Sequence, residues 1–356
     1  MNAGLAEIDA RDGVRGELDA TAMVGGIPLV VRPLRQLARL GWTRARVVAS
    51  DPAAVRAALD AYPVPSSLAV EIATEPGAGA ALLLDARAIH RREDLTGGAP
   101  QPVLQVRTRA DAAEAVGILE RQIRKSVQAD GVVTYYLVRP LIRPLSRALL
   151  DTRISPNQVT IAALLCGVSA AACAVAGGRP ATIAAGLLYW IGFALDCVDG
   201  ELARMRLSSS RFGEWLDSMT DEISIFSLLA GLGVGLHRDG GGTLWLAIGV
   251  GGSLIGALTV ARLYVDLHRR GLPIDTAQFP WFFNPPPGVE AAPSRTGRLL
   301  NGLGYLVRRD ANVTVVAILL LFDLREVAIL LVALGAAIAS AVTITHYAVM
   351  ALRARR

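Results

Sequence analysis

The sequence predicts two regions in two solvents: a small α/β layer fold, then an all-α polytopic membrane domain of about six transmembrane helices. Three observations carry that division. From Met1 to about Ser155 charged and apolar residues are mixed, whereas beyond Pro156 come apolar runs of about bilayer-spanning length. Within the first region, short runs of Val, Ile and Leu alternate with stretches whose apolar residues recur at helical spacing. The whole chain of 356 residues is 53% hydrophobic with a mean hydropathy of +0.43, high for a soluble protein.

In the first region Val47 to Ala49, Leu68 to Ala73, Ala81 to Leu84 and Val103 to Val106 read as strands. Pro28 to Leu40 and Ala53 to Tyr62 read as helices between them, with Asp51-Pro52 supplying a cap and a first-turn proline. Such alternation favours Rossmann-type layers around a largely parallel sheet. The stretch from Asn2 to Ala22 offers only Asp12-Gly13-Val14-Arg15 as a weak loop signal. A further helix is expected from Ala110 to Lys125, leading through Asp130-Gly131 into Val132 to Leu150. There Arg139, Arg143 and Arg147 recur every four residues beside an apolar face, which suits a segment lying in the membrane interface. Pro140 and Pro144 leave a kinked or broken form equally open. The domain boundaries drawn from these patterns are 1–125, a juxtamembrane segment 126–155, and a membrane domain 156–356.

Six spans are expected, at about 158–177, 181–200, 213–236, 242–265, 311–323 and 325–351. The fifth is short, abuts Asp310, and continues into the preceding helix on this reading. Arg204, Arg206 and Arg211 follow the second span, Arg269, Arg270, Arg295, Arg298, Arg308 and Arg309 the fourth, and Arg353, Arg355 and Arg356 the sixth. The opposite loops carry only Arg179, Arg238 and Arg325, so the bias places both termini on the cytoplasmic side. The N-terminus lacks a basic-then-apolar signal pattern and is expected in the cytosol. A net charge of +5 suits an anionic membrane surface. No helix-turn-helix, zinc-ligand or aromatic RNA-binding pattern supports a nucleic-acid partner. Cys166, Cys173 and Cys197 are scattered and odd in number, which argues against a disulfide framework.

The chemistry is concentrated between Asp196 and Asp221. The chain reads D-x-x-D-G-x-x-A-R, then eight residues, then G-x-x-x-D-x-x-x-D, fixing Asp196, Asp199, Gly200, Ala203, Arg204, Gly213, Asp217 and Asp221. Eight fixed positions match by chance with odds on the order of one in a million. On helices, Asp196 and Asp199 share a face, as do Asp217 and Asp221. The second and third spans form an antiparallel hairpin that brings the pairs together. Four converging carboxylates need cations, and hard divalent ions with oxygen ligands meet that need. A salt-bridged helix pair, with Arg204 and Arg206 holding the carboxylates, is the plainer alternative.

At every position this pattern resembles the signature of the CDP-alcohol phosphotransferase family, integral membrane enzymes that move a substituted phosphate from a CDP-linked donor to an alcohol and release CMP. The resemblance covers about residues 126–350. It implies Mg²⁺ or Mn²⁺, two ions per active site, with Asp196, Asp199 and Asp217 as principal ligands. Asp221 would be the general base, also close to a metal. It further implies CDP contacts from Gly200, Ala203, Arg204, Ser210 and Gly213, a membrane-lipid setting in a prokaryotic inner membrane, and a homodimer. Ser155-Pro156-Asn157-Gln158-Val159-Thr160 resembles the family's Pro-Asn-x-x-Thr entry. Asn157 either caps the first span or borders the nucleotide pocket, and Ser210 is either a nucleotide contact or a loop serine. Arg262 and Arg309 stand where members with sugar- or inositol-phosphate acceptors hold the acceptor phosphate; snorkelling to lipid headgroups is the alternative.

Gly25-Gly26-Ile27-Pro28-Leu29 followed by a helix and a strand resembles sugar-nucleotide nucleotidyltransferases, which some members carry as a fused inositol-phosphate cytidylyltransferase domain. The glycine-rich, arginine-containing loop for a nucleotide triphosphate is missing, so the front domain is expected to be degenerate, without cytidylyltransferase activity. The donor is therefore CDP-diacylglycerol or a CDP-inositol type, and the acceptor an alcohol or polyol phosphate. A front domain that still makes the CDP-alcohol from CTP is a second reading, and a metal-binding membrane transporter a third. Phe279-Pro280-Trp281-Phe282-Phe283 and Pro285-Pro286-Pro287, within the segment from His268 to Gly304, read as a headgroup anchor or as a lid.

Overall fold

The computed structural model describes residues 2–11, 17–91, 95, 100–272, 279, 281 and 309–353, without the side chains of 2, 3 and 128. Asp12-Gly13-Val14-Arg15, most of the segment from His268 to Gly304, and Arg295, Arg298, Arg308, Arg355 and Arg356 lie outside the described residues. The chain divides into two compact units. One comprises Met1–Arg124, Leu145–Arg153 and Glu201–Ser208; the other comprises Lys125–Pro144, Ile154–Gly200 and Ser209–Arg356.

The first unit begins with β1 (Asn2–Asp9), then β2 (Met23–Val24) and β3 (Ile27–Pro28), which pair as a hairpin across Gly25-Gly26. α1 (Val31–Arg39), β4 (Trp42–Val48), α2 (Pro52–Ala61), β5 (Ala69–Ala73) and β6 (Leu82–Asp85) follow. The main sheet has the order β5-β4-β1-β6 and every pairing in it is parallel. Its strands bury Ala6, Ile8, Ala45, Val47, Leu82 and Leu84 against Val31, Leu34 and Leu37 of α1. Each fully buried Val, Leu or Ile contributes about 1.5–3 kcal/mol. Asp51 caps α2 as its position predicts, accepting from the amides of Ala53 and Ala54 at 3.0 and 3.1 Å, with Pro52 as the first helical residue.

Two expectations are corrected here. Asn2 to Asp9, which sequence reading leaves without structure, is a central strand that pairs with β4 and β6. Its buried positions include Ala6, too small to signal a strand, and its acidic Glu7 is used locally, accepting from the amide of Gly77 at 2.7 Å. The strand expected over Val103 to Val106 shrinks to β8 (Leu104–Gln105), which pairs antiparallel with β7 (Ala88–Ile89) outside the main sheet. α3 (Arg109–Ile123) opens on a capping box between Thr108 and Asp111.

After a single turn, α4 (Val127–Asp130), the chain enters one π-helical turn (Thr134–Val138) and α5 (Arg139–Leu150), with Pro144 inside it. The proline-bearing segment is thus helical, with a π-helical turn ahead of Pro140 and with Pro144 accommodated inside α5. Asp130 holds Arg139 through two bonds of 2.9 and 3.0 Å. Asp310 serves as a distant cap: its Oδ2 accepts from the amides of Val133 and Thr134 at 3.0 and 3.2 Å. A carboxylate at a helix start satisfies unpaired amides and meets the positive end of the helix dipole.

Five helices are long and apolar enough to cross a membrane: α6 (Pro156–Ala176), α7 (Arg179–Met205), α8 (Arg211–Gly241), α9 (Thr243–Arg269) and α11 (Arg325–Arg353). α10 (Arg309–Leu321) covers the fifth expected span over 13 residues. Leu165, Leu187, Leu254, Leu258, Leu334 and Ile344 point outward, an apolar exterior that suits lipid. α6 packs along α8 at backbone distance: a Cβ added to Gly231 would lie 2.5 Å from the carbonyl oxygen of Ala171. Because Asp310 caps a segment far from it in sequence, Asp310→Ala is expected to lower stability by about 1 kcal/mol. Asp310→Asn, still an acceptor, is expected to lose less. Thermal unfolding in detergent, followed by tryptophan fluorescence, measures both.

Candidate active site

The second unit places the acidic motif on two neighbouring helices. Asp196 and Asp199 lie on α7, and Asp217 and Asp221 lie on α8. One carboxylate oxygen from each of Asp196, Asp217 and Asp221 lies within 4.8 Å of the others. Asp199 stands one turn further along α7, is 4% exposed, and accepts a short hydrogen bond from Thr160 Oγ1 of α6. Thr160 is the last residue of the Pro-Asn-x-x-Thr stretch, and sequence reading assigned it no contact. Its position one turn inside α6, on the face that meets α7, was the available signal.

The residues fit a divalent cation. Oxygen donors are the ligand type that hard ions take. Asp196 Oδ1 is buried and has no hydrogen-bond partner among the described residues, an acceptor that a cation would satisfy. The cation beside these carboxylates is Arg309, at the start of α10. It pairs closely with Asp221, lies 3.8 Å from Asp196, and has its guanidinium 6.0 Å from the centre of the Phe193 ring. A salt-bridged cluster therefore exists, and Arg309 takes part in it. Arg206 donates to the carbonyls of Leu149, Leu150 and Thr152.

A small hollow continues from the carboxylates into the bundle. It is lined by Gly167, Tyr189, Phe193, Asp196, Thr220 and Asp221, with Arg309 at its edge. On the other side of the motif, Ser210 caps α8 by accepting from the amide of Gly213 at 3.0 Å. A Cβ on Gly213 would lie 3.2 Å from Asn157 Oδ1 and 3.3 Å from Ser210 Oγ, so these three residues converge. Asn157 itself sits in the first turn of α6, opened by a capping box between Ser155 and Gln158. Gly200, Ala203 and Arg204 continue down α7 from Asp196 at intervals of four, seven and eight residues, which keeps them on one side of that helix. Arg262 is not brought to the carboxylates by any contact the structure shows. It is exposed on α9, with its guanidinium 4.6 Å from the centre of the Tyr347 ring. Phe279 and Trp281 pack on His346 of α11, 5.0 and 5.7 Å between ring centres, so the aromatic run has at least one buried foothold.

With that geometry in place, comparison with known proteins identifies the region. Residues 153–285 match the model of the family described as CDP-alcohol phosphatidyltransferase, and they contain the whole motif. The chain is 31% identical over 159 residues to a bifunctional IPC transferase and DIPP synthase from Aquifex aeolicus, covering 45% of this chain and 36% of that protein. It is 36% identical over 102 residues to an archaetidylinositol phosphate synthase from Pyrococcus horikoshii, 28% of this chain and 53% of that one. It is 29% identical over 134 residues to a phosphatidylinositol phosphate synthase from Mycobacteroides abscessus, 38% of this chain and 54% of that one. The chain thus spans between about a third and a half of the length of these relatives.

The pairing of Arg309 has a measurable consequence for cation binding at the three carboxylates. A guanidinium on Asp221 and Asp196 competes with any divalent ion there. Arg309→Ala is expected to tighten Mn²⁺ binding about fivefold or more, since a unit charge at 4 Å keeps about 1 kcal/mol even in the dielectric of water. Calorimetric titration of Mn²⁺ into the purified protein reads the change; weaker binding in the variant would show that Arg309 supports the cation site instead.

Proposed function

We propose that the protein is a membrane phosphotransferase that moves a substituted phosphate from a CDP-linked donor to an alcohol and releases CMP. The observation that carries this reading is the convergence of Asp196, Asp217 and Asp221 at one end of two apolar helices, within the region that matches the family. Asp196, Asp199 and Asp217 hold the metal and Asp221 lies beside it. When bound, two Mg²⁺ or Mn²⁺ ions neutralise charge on the pyrophosphate and on the departing CMP.

The remaining roles belong to the side chains. Asp221 accepts the proton of the acceptor hydroxyl, whose oxygen forms a bond to the donor β-phosphorus. The bond from that phosphorus to the bridging oxygen breaks, and CMP leaves with the electron pair. Arg204 pairs with the donor phosphates through two charge-assisted bonds. Gly200, Ala203 and Gly213 let the nucleotide approach the backbone, and Ser210 and Asn157 border it. Thr160 fixes the orientation of Asp199 through its hydroxyl. Arg309 takes the acceptor phosphate when a cation replaces it on Asp221, and Arg262 is the second candidate for that phosphate.

Two relatives are named as synthases of phosphatidylinositol phosphate and archaetidylinositol phosphate, so inositol phosphate is the acceptor to test first, with CDP-diacylglycerol or a soluble CDP-alcohol as donor. The arginine asymmetry supports an orientation with the active site and both termini on the cytoplasmic side. Gly- and Ala-rich spans are compatible with a homodimer.

The name of the Aquifex aeolicus relative raises a second activity for the α/β unit. Its sheet argues against one. Neighbouring strands β1 and β6 both end in Asp-Ala-Arg, in register at Asp9 and Asp85. Asp9 is held by Arg11 at 2.6 Å, and Asp85 by Arg87 and Gln105. The Arg11 guanidinium lowers the Asp9 carboxyl below its ordinary value. Unlike Asp196, Asp217 and Asp221, these carboxylates belong to no group of three acidic ligands among the described residues, so the unit is read as non-catalytic.

CMP release by the purified protein with Mn²⁺, a panel of CDP-linked donors and inositol phosphate tests the reaction. Asp217→Asn and Asp221→Asn are expected to lose about 10²–10⁴-fold in rate. Full activity in either variant would sink the mechanism.

A further inference from the structure

Helix α7 ends with all four of its terminal carbonyls satisfied, and two of the donors are arginine side chains of the α/β unit. An α-helix leaves its last four carbonyls without intrahelical partners. Here the amide of Ser208 bonds to Ala203 O at 2.9 Å and that of Leu207 to Arg204 O at 3.2 Å. This is the paired turn that usually needs glycine, yet Leu207 occupies the left-handed position with φ 51. Met205 O and Arg206 O remain. Arg32 Nη1 donates to the first at 3.1 Å, and Arg35 Nη1 to the second at 2.6 Å.

Arg32 and Arg35 lie three residues apart on α1 and are 3% and 8% exposed. Their other bonds also end on main-chain carbonyls: Arg32 Nη2 on Val24 and Gly25, and Arg35 on Pro63. Burial brings the Arg32 guanidinium down to about 10, so it remains charged at neutral pH. A cation at a helix C-terminus also meets the negative end of the dipole. The Gly25-Gly26 turn closes on the same spot. Gly26 has φ 81, and a Cβ there would lie 2.8 Å from Arg206 Nε and 3.1 Å from Leu150 O.

We propose that Arg32 and Arg35 are positioning residues for donor binding: they fix the last turn of α7 and thereby the orientation of Arg204, setting affinity for the CDP moiety. The proposal rests on the reading that Arg204 contacts the donor phosphates. A leucine in a left-handed position shows that the helix end is held against a local preference, because a backbone of this kind persists only where its surroundings impose it. Arg204 lies immediately before Met205, the first carbonyl that an arginine holds. Asp196 lies more than two turns upstream. The effect therefore falls on the nucleotide and not on the cation.

Binding of Mn²⁺ and then of CMP to the purified full-length chain in detergent micelles, with KM for donor and acceptor, tests this. Arg32→Ala and Arg35→Ala are expected to weaken CMP about tenfold each, the worth of one charge-assisted bond. Donor KM should rise in parallel, with Mn²⁺ affinity and acceptor KM unchanged. Val55→Ala, on the buried face of α2 in the core of the same unit, is the stability control and should leave CMP affinity alone. Should Arg32→Ala not fold, Arg35→Lys carries the test. It offers one donor in place of a fork and is expected to fall between Arg35→Ala and the wild type. CMP affinity equal to wild type in the folded variants, or a loss matched by Val55→Ala, overturns the proposal. A wild-type protein that binds no CMP with Mn²⁺ overturns the donor reading as well.

Discussion

Gathering three carboxylates within 4.8 Å at the end of apolar helices is the constraint on which the rest of the second unit depends. Like charges at that separation repel strongly, and burial removes the water that would screen them. The arrangement persists only with cations close by, and Arg309 supplies one. Its neighbour Asp310 turns the other way, caps the helix that begins after Gly131, and ties α10 to the segment before α5. Two adjacent residues at the start of α10 thus connect the acidic cluster to the segment that enters the bundle. The close approach of α6 to α8 at Gly231 and the bond from Thr160 to Asp199 hold the third helix against the pair.

What could be read from the sequence is what repeats or is spaced locally. The apolar runs gave the long helices within a few residues, and the D-x-x-D and D-x-x-x-D spacings put each acidic pair on one helix face. The cap at Asp51 was legible for the same reason: cap, proline and first turn are adjacent in the chain; at the first span the cap is Ser155, and Asn157, the expected candidate, lies within the first turn. β1 was not legible, because a strand whose buried side chains include the small Ala6 and the acidic Glu7 carries little hydrophobic signal. Only pairing with β4 and β6 on both sides makes it a strand. The partner of Asp221 is 88 residues away and the amides capped by Asp310 are 176 and 177 residues away, separations at which no periodicity reports. Arg309 could be selected as a functional arginine from its location, yet its contact with Asp221 needed the fold.

The two sets of arginines illustrate one physical rule with different outcomes. Arg309 is exposed and pairs with carboxylates that a divalent cation also suits, so its contact is open to exchange with such a cation. Arg32 and Arg35 are buried and their hydrogen bonds end on carbonyls, which no soluble cation would compete for effectively. Those contacts are permanent features of the fold. A membrane helix that ends near the aqueous boundary must still satisfy its final carbonyls, and water would do so without fixing a direction. Two forked, buried guanidinium groups satisfy the same carbonyls and fix it. The direction matters because the motif runs through Arg204, to within one residue of the held carbonyls. On the proposal that Arg204 contacts the donor phosphates, its helix end must not fray, and Arg32 and Arg35 supply donors that prevent it.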